Sequence, residues 1–217
     1  MRTISNLLAF TGLCVTLLLV WRQSVPGRVR LFVVQSLVLG ALAVAIAVLA
    51  HRPTLFVVAA VFLFIKTWMI PRVLGRLAIG SPVRPVAPGA SSGLSLLLAG
   101  ALVVVAYVIM LPVTGVTARG GALPTASAIP LAFAMALIGL FVCVTGRDAL
   151  GQILGFLVFE NGIFGFGLLA TYGLPGIVEA GVFLEVLVIV LIMEGVVLQI
   201  RREHDSIAMD RLRELRG

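Results

Sequence analysis

Long apolar runs, each close to the ~20 residues that a helix needs to cross a bilayer, constrain the fold of this chain most strongly. Apolar residues make up 61% of the 217 positions and charged residues only 12%, which is too apolar for a soluble domain of this length. The runs do not alternate in polarity as barrel strands do, and backbone groups in a bilayer must bond internally. The sequence therefore predicts an all-α, multi-pass membrane protein with seven spans: 4–21, 30–50, 54–71, 93–112, 127–145, 149–170 and 176–200.

The positions of the arginines predict how these spans are oriented. The connections on one side, together with the C-terminal tail, carry twelve arginines, whereas the opposite set carries only Arg2, Arg52 and Arg119. Positive charge is retained on the cytoplasmic side, so the C-terminus is predicted to be cytoplasmic and, with seven spans, the N-terminus outside. The same distribution explains the net charge of +7 without a nucleic-acid partner. The first run follows Arg2 but lacks a small-residue cleavage site, so we expect it to be a retained span, not a secretory signal.

A stretch rich in Pro, Gly and Ser between the third and fourth runs is typical of a linker. It divides the spans into a group of three and a group of four. No internal repeat is evident. The predicted organisation is a three-helix group at 1–80, a cytoplasmic linker at 81–92, a fourth helix with an outer loop at 93–126, a three-helix unit at 127–200 and a cytoplasmic tail at 201–217.

Two charged residues lie deep within separate spans, where each costs at least ~2.5–3.5 kcal/mol on insertion scales and therefore needs a reason. Glu160 lies near the middle of the sixth run, too far from either surface to reach water along its own helix. A carboxyl group there can be a protonatable station or a neutral hydrogen-bonding group that fastens helices, beside Asn161. Lys66, nearer the cytoplasmic end of the third run, can either reach the interface with its long side chain or be buried and coupled to an acidic partner.

Three further carboxyl groups follow one another along the seventh run. Glu185 lies near mid-depth, Glu179 toward the outer end and Glu194 toward the cytoplasmic end. Glu179 and Glu194 are about 22 Å apart along a helix, which covers most of the hydrocarbon, but the helical wheel does not place all three on one face. A proton route along this helix would thus need a neighbouring helix and intervening water. Glu179 and Glu194 are close enough to an interface to be simply hydrated.

The cysteines and histidines are too scattered to form an iron–sulfur or zinc site. Cys14 and Cys143 lie in separate apolar runs, and His51 and His204 stand alone, unlike the clustered spacing of such ligands. We therefore expect no cofactor and no catalytic site in this chain. Any redox chemistry would belong to another subunit.

The C-terminal part resembles a known family. Ile138-Gly139-Leu140, Gly146-Arg147-Asp148, the mid-helix Glu160-Asn161 and the tail resemble the small K-type subunit of respiratory complex I. With four spans in front, the whole chain resembles hydrogenase-4 component E, a membrane subunit of group 4 nickel–iron hydrogenase and formate hydrogenlyase-type complexes. The most specific matches are Glu160-Asn161-Gly162-Ile163-Phe164 and Val178-Glu179-Ala180-Gly181-Val182-Phe183-Leu184-Glu185.

This resemblance implies a proton path with one carboxylate in each of the last two helices. Glu160 matches the first. An ungapped alignment of the tails places the second near Ile189, one turn beyond Glu185, so Glu185 is the choice and Glu194 is the alternative. It also implies antiporter-like and other membrane subunits as partners, a cytoplasmic hydrogenase-like redox arm, and location in a bacterial or archaeal cytoplasmic membrane.

The predicted function is a membrane-arm subunit that helps to translocate or couple protons, or sodium ions. Glu160 and Glu185 are its expected stations, and Glu179, Glu194 and Lys66 are candidates for ion uptake, release or charge coupling. A purely structural scaffold is the alternative. An independent secondary transporter is disfavoured because such proteins usually contain inverted repeats.

Overall fold

The computed structural model describes residues 2–80, 92–119, 124–146, 148–173 and 181. Within this part of the chain all regular structure is helical, and six helices are long and apolar enough to cross a membrane. They match the first six predicted spans. The seventh predicted span, apart from Gly181, lies outside the described residues, so the span count of seven and the orientation of the termini stay predictions. The predicted linker at 81–92 also lies outside them, except for Ser92, which begins the next helix.

The first half consists of three antiparallel spans. Their helical elements are α1 (Arg2–Trp21), α2 (Val25–Leu49), α3 (Thr54–Leu63), a π-helical segment (Phe64–Met69) and α4 (Ile70–Gly80). The last three elements run without a break and together make the third span. The second half contains α5 (Ser92–Arg119), a short 3₁₀ turn (Ala126–Ala128), α6 (Ile129–Thr145) and α7 (Ala149–Thr171).

Three helix ends differ from the predicted ones by more than two residues, each at a proline. The third span was predicted to end at residue 71, but its helix continues past Pro71 to Gly80. Helix α2 begins at Val25, five residues before the predicted run, because Pro26 lies in the first turn, where a missing N–H is tolerated. Helix α5 continues past Pro112 to Arg119, although that proline was taken as the end of the run. Prolines inside membrane helices are common enough that a proline alone is a poor end signal there.

Short connections make successive helices antiparallel neighbours. Just after the end of α2, His51 lies in the left-handed region at φ 51°. The Arg52 N–H donates to the Ala47 carbonyl over 3.0 Å. This is the bonding of a Schellman-type helix end, which reverses the chain within a few residues. Helix α7 begins at Asp148, whose carboxylate accepts a hydrogen bond from the Gly151 N–H, as an N-cap residue does.

Helices α1, α2, α6 and α7 form the centre of the described part, with α3 packed on α2 and α5 packed on α1 and α6. Large apolar side chains that are exposed face outward on several helices, as expected for surfaces in contact with lipid or other membrane subunits. On α5 they include Leu97, Val104, Val108 and Leu111. The chain is therefore described as a multi-pass membrane protein.

A buried ion pair and its polar network

Helix α7 makes its closest contact with α6 through glycine. A Cβ atom added at Gly155 would collide with the backbone of Cys143, and one at Gly162 with the backbone of Ala136. From the other side, a Cβ at Gly139 would collide with the backbone of Phe159. Glycines thus let the two backbones touch, the arrangement that small residues permit between membrane helices.

The four-residue spacing of Gly151 and Gly155 in the sequence predicts a small-residue pair that lets another helix approach closely. This prediction is only half right. Gly155 lies at the α6 contact, but the neighbour of Gly151 is the Asp148 carboxylate at the start of its own helix. The partner of Gly155 is instead Gly162, seven residues along, which returns to the same face after two turns.

Glu160 lies away from this glycine contact, on a side of α7 that meets the third span. The Lys66 ammonium donates to Glu160 Oε2 over 2.7 Å, and the two side chains are only 1% and 5% exposed. The interfacial alternative for Lys66 is therefore wrong in this structure: its side chain is coupled to a carboxylate. One turn further along α7, the Phe164 ring stacks on Phe62 with 4.3 Å between the ring centroids, so aromatic packing adjoins the pair.

Aromatic rings also border the ammonium itself. The centroids of the Phe32 and Phe62 rings each lie 5.9 Å from Lys66 Nζ, near the outer limit of a cation–π interaction. Phe32 is completely buried and Phe62 almost so. The pair is therefore enclosed in an apolar setting in which the opposite charges balance each other.

The π-helical segment lies at this point of the third span. The Ile70 N–H donates to the Ile65 carbonyl, five residues back, where an α-helix would use the carbonyl four residues back. The next residue, Pro71, has no N–H for the Thr67 carbonyl, and in a regular α-helix its ring would clash with that carbonyl. A wider turn relieves this clash, and such π segments occur often at functional sites.

A second, uncharged polar group lies beside the ion pair. The Asn161 amide nitrogen donates to Gln35 Oε1 over 3.1 Å and to Ser36 Oγ over 3.0 Å. Gln35 Nε2 in turn donates to Thr16 Oγ1 over 2.7 Å. All four side chains are buried, so the chain of hydrogen bonds crosses the interior from α7 through α2 to α1. We call these four residues, Asn161, Gln35, Ser36 and Thr16, the polar chain.

Two buried oxygen atoms in this region accept no hydrogen bond from the described residues. They are Glu160 Oε1 and Asn161 Oδ1, on adjacent residues of α7. A buried acceptor without a donor costs about 1–3 kcal/mol, and few native structures leave such atoms unsatisfied without a reason.

The structure thus brings together two of the five predicted site residues, Lys66 and Glu160. Glu179, Glu185 and Glu194 lie outside the described residues. Sequence reasoning missed Thr16, Gln35 and Ser36. Their signal was present: Gln35 and Ser36 are the polar residues in the middle of an otherwise apolar run, where every polar group needs a partner.

A metal centre is not formed by the part of the chain that the structure describes, in which no group of three or more His, Cys, Asp and Glu side chains is placed to hold an ion. Cys14 and Cys143 are unpaired thiols on α1 and α6. What the described site contains is one carboxylate, one ammonium and a set of neutral hydrogen-bonding groups.

The sequence of this chain is similar to those of several known proteins. The uncharacterized protein Rv0085 of Mycobacterium tuberculosis is 34% identical over 204 residues, which cover 93% of this chain and 90% of that protein. The chain belongs to the Rv0085 family. Hydrogenase-4 component E of Escherichia coli is more distantly similar to this Rv0085-family chain, with 27% identity over 188 residues, 84% of this chain and 83% of the relative. The same values hold for hydrogenase-4 component E of Shigella flexneri. No protein-family model and no solved structure matches the chain.

Proposed function

We propose that this protein is a membrane-arm subunit of a hydrogenase-type complex and that its buried ion pair couples proton movement to the redox reaction of its partners. The similarity to hydrogenase-4 component E extends over most of both chains, which supports a subunit of that kind. The electron-transfer centres would lie in partner subunits: a hydrogenase-like redox arm in the cytoplasm, with antiporter-like subunits beside this one in the membrane.

The observation that carries the coupling role is the Lys66–Glu160 pair, held 2.7 Å apart in the interior of the bundle. A buried ion pair is weak evidence for stability because the desolvation of two charges offsets much of their attraction. It is better evidence for function, since ionisable residues at membrane depth commonly mark ion pathways.

The chemistry of the pair follows from its charge. With Glu160 ionised and Lys66 protonated, the pair is neutral overall. Uptake of one proton by the carboxylate gives the pair a net positive charge in a low-dielectric interior, where its interaction with any approaching charge is strong. A change of charge in a neighbouring subunit would therefore favour uptake or release of this proton, which is the elementary step of coupling.

Glu185 is proposed as the second station, with Glu194 as the alternative, and Glu179 and Glu194 as places of proton uptake or release. This assignment rests on the sequence and on the resemblance to the K-type subunit of complex I. It extends the path from the described pair into the seventh predicted span. The proposed orientation, with the C-terminus in the cytoplasm, places Glu194 toward the redox arm.

The test is Glu160→Gln in the intact complex. Gln keeps the volume and an oxygen facing Lys66 but cannot exchange a proton. In proteoliposomes driven by the redox reaction, proton movement per electron should fall while assembled complex is still recovered, when both are normalised to the amount of complex. Asp148→Asn is the matched control, because it removes a carboxylate from the same helix at its end and Asn also caps helices well.

The alternative function is a structural scaffold, and the glycine contact between α6 and α7 favours it. Under that alternative the ion pair only fastens the third span to α7. Glu160→Gln would then lower the yield of assembled complex, or change nothing, and the protons moved per electron in the complex that does assemble would equal the wild-type value. That result would refute the coupling role.

A further inference from the structure

The hydrogen bonds of the polar chain all run in one direction, and two backbone carbonyls fix that direction. The Thr16 hydroxyl donates its only proton to the Gly12 carbonyl over 2.8 Å, so toward Gln35 it can only accept. Gln35 must therefore present its NH₂ group to Thr16 and its oxygen to Asn161. The orientation of the Gln35 amide is thus decided by chemistry, although nitrogen and oxygen have similar shapes.

The same argument fixes Asn161. The Ser36 hydroxyl donates to the Phe32 carbonyl over 2.9 Å, so Ser36 also can only accept toward Asn161. With acceptors on both Gln35 and Ser36, the Asn161 amide must face them with its two N–H groups, and both are used. Its oxygen is left as the free end of the polar chain, completely buried and without a donor among the described residues.

The other acceptor without a donor is Glu160 Oε1, on the preceding residue of α7. Side chains one residue apart on a helix do not face each other directly, so a proton on Glu160 is poorly placed to reach the Asn161 oxygen itself. A small molecule that donates two hydrogen bonds fits the requirement of both oxygens. Water is such a molecule, and buried waters typically satisfy polar groups that lack protein partners.

A sodium ion also binds oxygen atoms but suits this site poorly. It would share the Glu160 carboxylate with the Lys66 ammonium, which already lies 2.7 Å from Oε2. Two cations on one carboxylate repel each other strongly in a low-dielectric interior. Among the buried side-chain atoms of the described residues only two oxygens lack a hydrogen bond, whereas hard cations take several oxygen ligands at once.

We infer that Asn161 Oδ1 and Glu160 Oε1 bind an ordered water, and that the ion delivered to Glu160 through it is the proton and not sodium. The identity of the ion rests on the proposed coupling function, whereas the bound water does not. Asn161 is then a positioning residue: it holds the water with its oxygen, and the polar chain holds Asn161. The water would take up the arriving proton on a lone pair of its oxygen as it gives one of its own to Oε1, the carboxylate oxygen that does not bind Lys66, and it remains a neutral water.

Infrared difference spectroscopy on the whole protein in lipid tests this inference. Spectra recorded as the pH is stepped contain the carboxyl band of Glu160, identified by its loss in Glu160→Gln. In wild type, replacing H₂¹⁶O by H₂¹⁸O should shift a water O–H band that changes together with the carboxyl band. This measurement needs no variant at Asn161, so it stands even if such variants fold poorly.

Asn161→Leu, which is similar in size but lacks the oxygen, should abolish this water band and move the carboxyl band to higher frequency. Thr11→Val is the matched control: it removes a hydroxyl that donates to the Leu7 carbonyl of the same helix, outside the polar chain, so the water band should persist. A wild-type carboxyl band that lacks any ¹⁸O-sensitive partner would overturn the bound water.

The choice between proton and sodium is tested by exchanging sodium chloride for choline chloride at constant ionic strength. The carboxyl band should not change. A shift that follows the sodium concentration would overturn the proton assignment. These outcomes are separate from the coupling test, because the water band can be present in a complex whose proton movement is unaffected by Glu160→Gln.

Discussion

Helix α7 meets α6 and the third span through opposite chemistry. Toward α6, Gly139, Gly155 and Gly162 bring the two backbones into contact, and no charge is involved. Toward the third span, a carboxylate faces an ammonium at 2.7 Å. The first contact is intolerant of any added atom, whereas the second joins two ionisable side chains. Under the proposed function, α7 is fixed on one side so that its other side can vary in protonation.

The largest effect is expected at the glycine contact. Gly162→Leu would place side-chain atoms within the backbone of α6 and should cost more than about 3 kcal/mol, beyond ordinary overpacking. Most of the protein should then fail to fold, measured as the fraction recovered as a monodisperse peak after extraction. Gly100→Leu is the control, because a Cβ at Gly100 on α5 meets nothing within 4 Å. Equal losses of folded protein in the two variants would show that the glycine contact is no less tolerant of added atoms than an open position on α5.

A large effect is also expected at the ion pair. Lys66→Met leaves Glu160 without its partner and should lower the free energy of unfolding by about 3–5 kcal/mol while the carboxyl group stays ionised. The double variant Lys66→Met with Glu160→Gln should recover much of this loss, since neither charge of the pair is left. Unfolding curves in mixed micelles would give the double-mutant cycle. Strictly additive losses would mean that the two side chains do not depend on each other.

The neutral polar chain should contribute less. Gln35→Leu removes the link between Asn161 and Thr16 and should lower stability by about 1 kcal/mol, the order found for hydrogen bonds between membrane helices. The same unfolding assay measures it. A loss as large as that of Lys66→Met would show that the polar chain contributes as much as the ion pair to the stability of the bundle.

The smallest change in stability is expected at the proline that follows the π segment. Pro71→Ala restores the missing N–H and should change the free energy of unfolding by only about 0.5 kcal/mol. The backbone chemical shifts of Phe64–Met69 in solid-state NMR should move toward α-helical values. Unchanged shifts would show that packing against α7, and not the proline, maintains the wide turn.

The apolar runs predicted six of the helices to within a few residues at most ends, because hydrocarbon demands long uninterrupted helices. The pairing of Lys66 with Glu160 was not predictable in the same way. Each charge clearly needed a partner, but the two residues lie 94 positions apart, and hydropathy does not say which helices are neighbours. Gln35 and Ser36 were missed because an uncharged polar residue barely changes the hydropathy of a run.

The contact between glycines of α6 and α7 was also not predictable from the sequence. Spacing alone picked out Gly151 and Gly155, but it does not tell which face of a helix meets its neighbour. The carboxyl groups of the seventh predicted span remain assigned by sequence and resemblance alone.

The wide turn in the third span also sets the rotational phase of that helix. In a regular α-helix, 12 residues advance about 120° beyond whole turns, so Leu74 would point well away from the direction of Phe62. Yet Phe62, Lys66, Ile70 and Leu74, spaced four apart, are all buried. The extra residue in the π turn offsets this rotation, so that the four side chains lie in one line against the bundle. Deleting a single residue there would turn one half of the span outward, so its length is fixed as strictly as its chemistry.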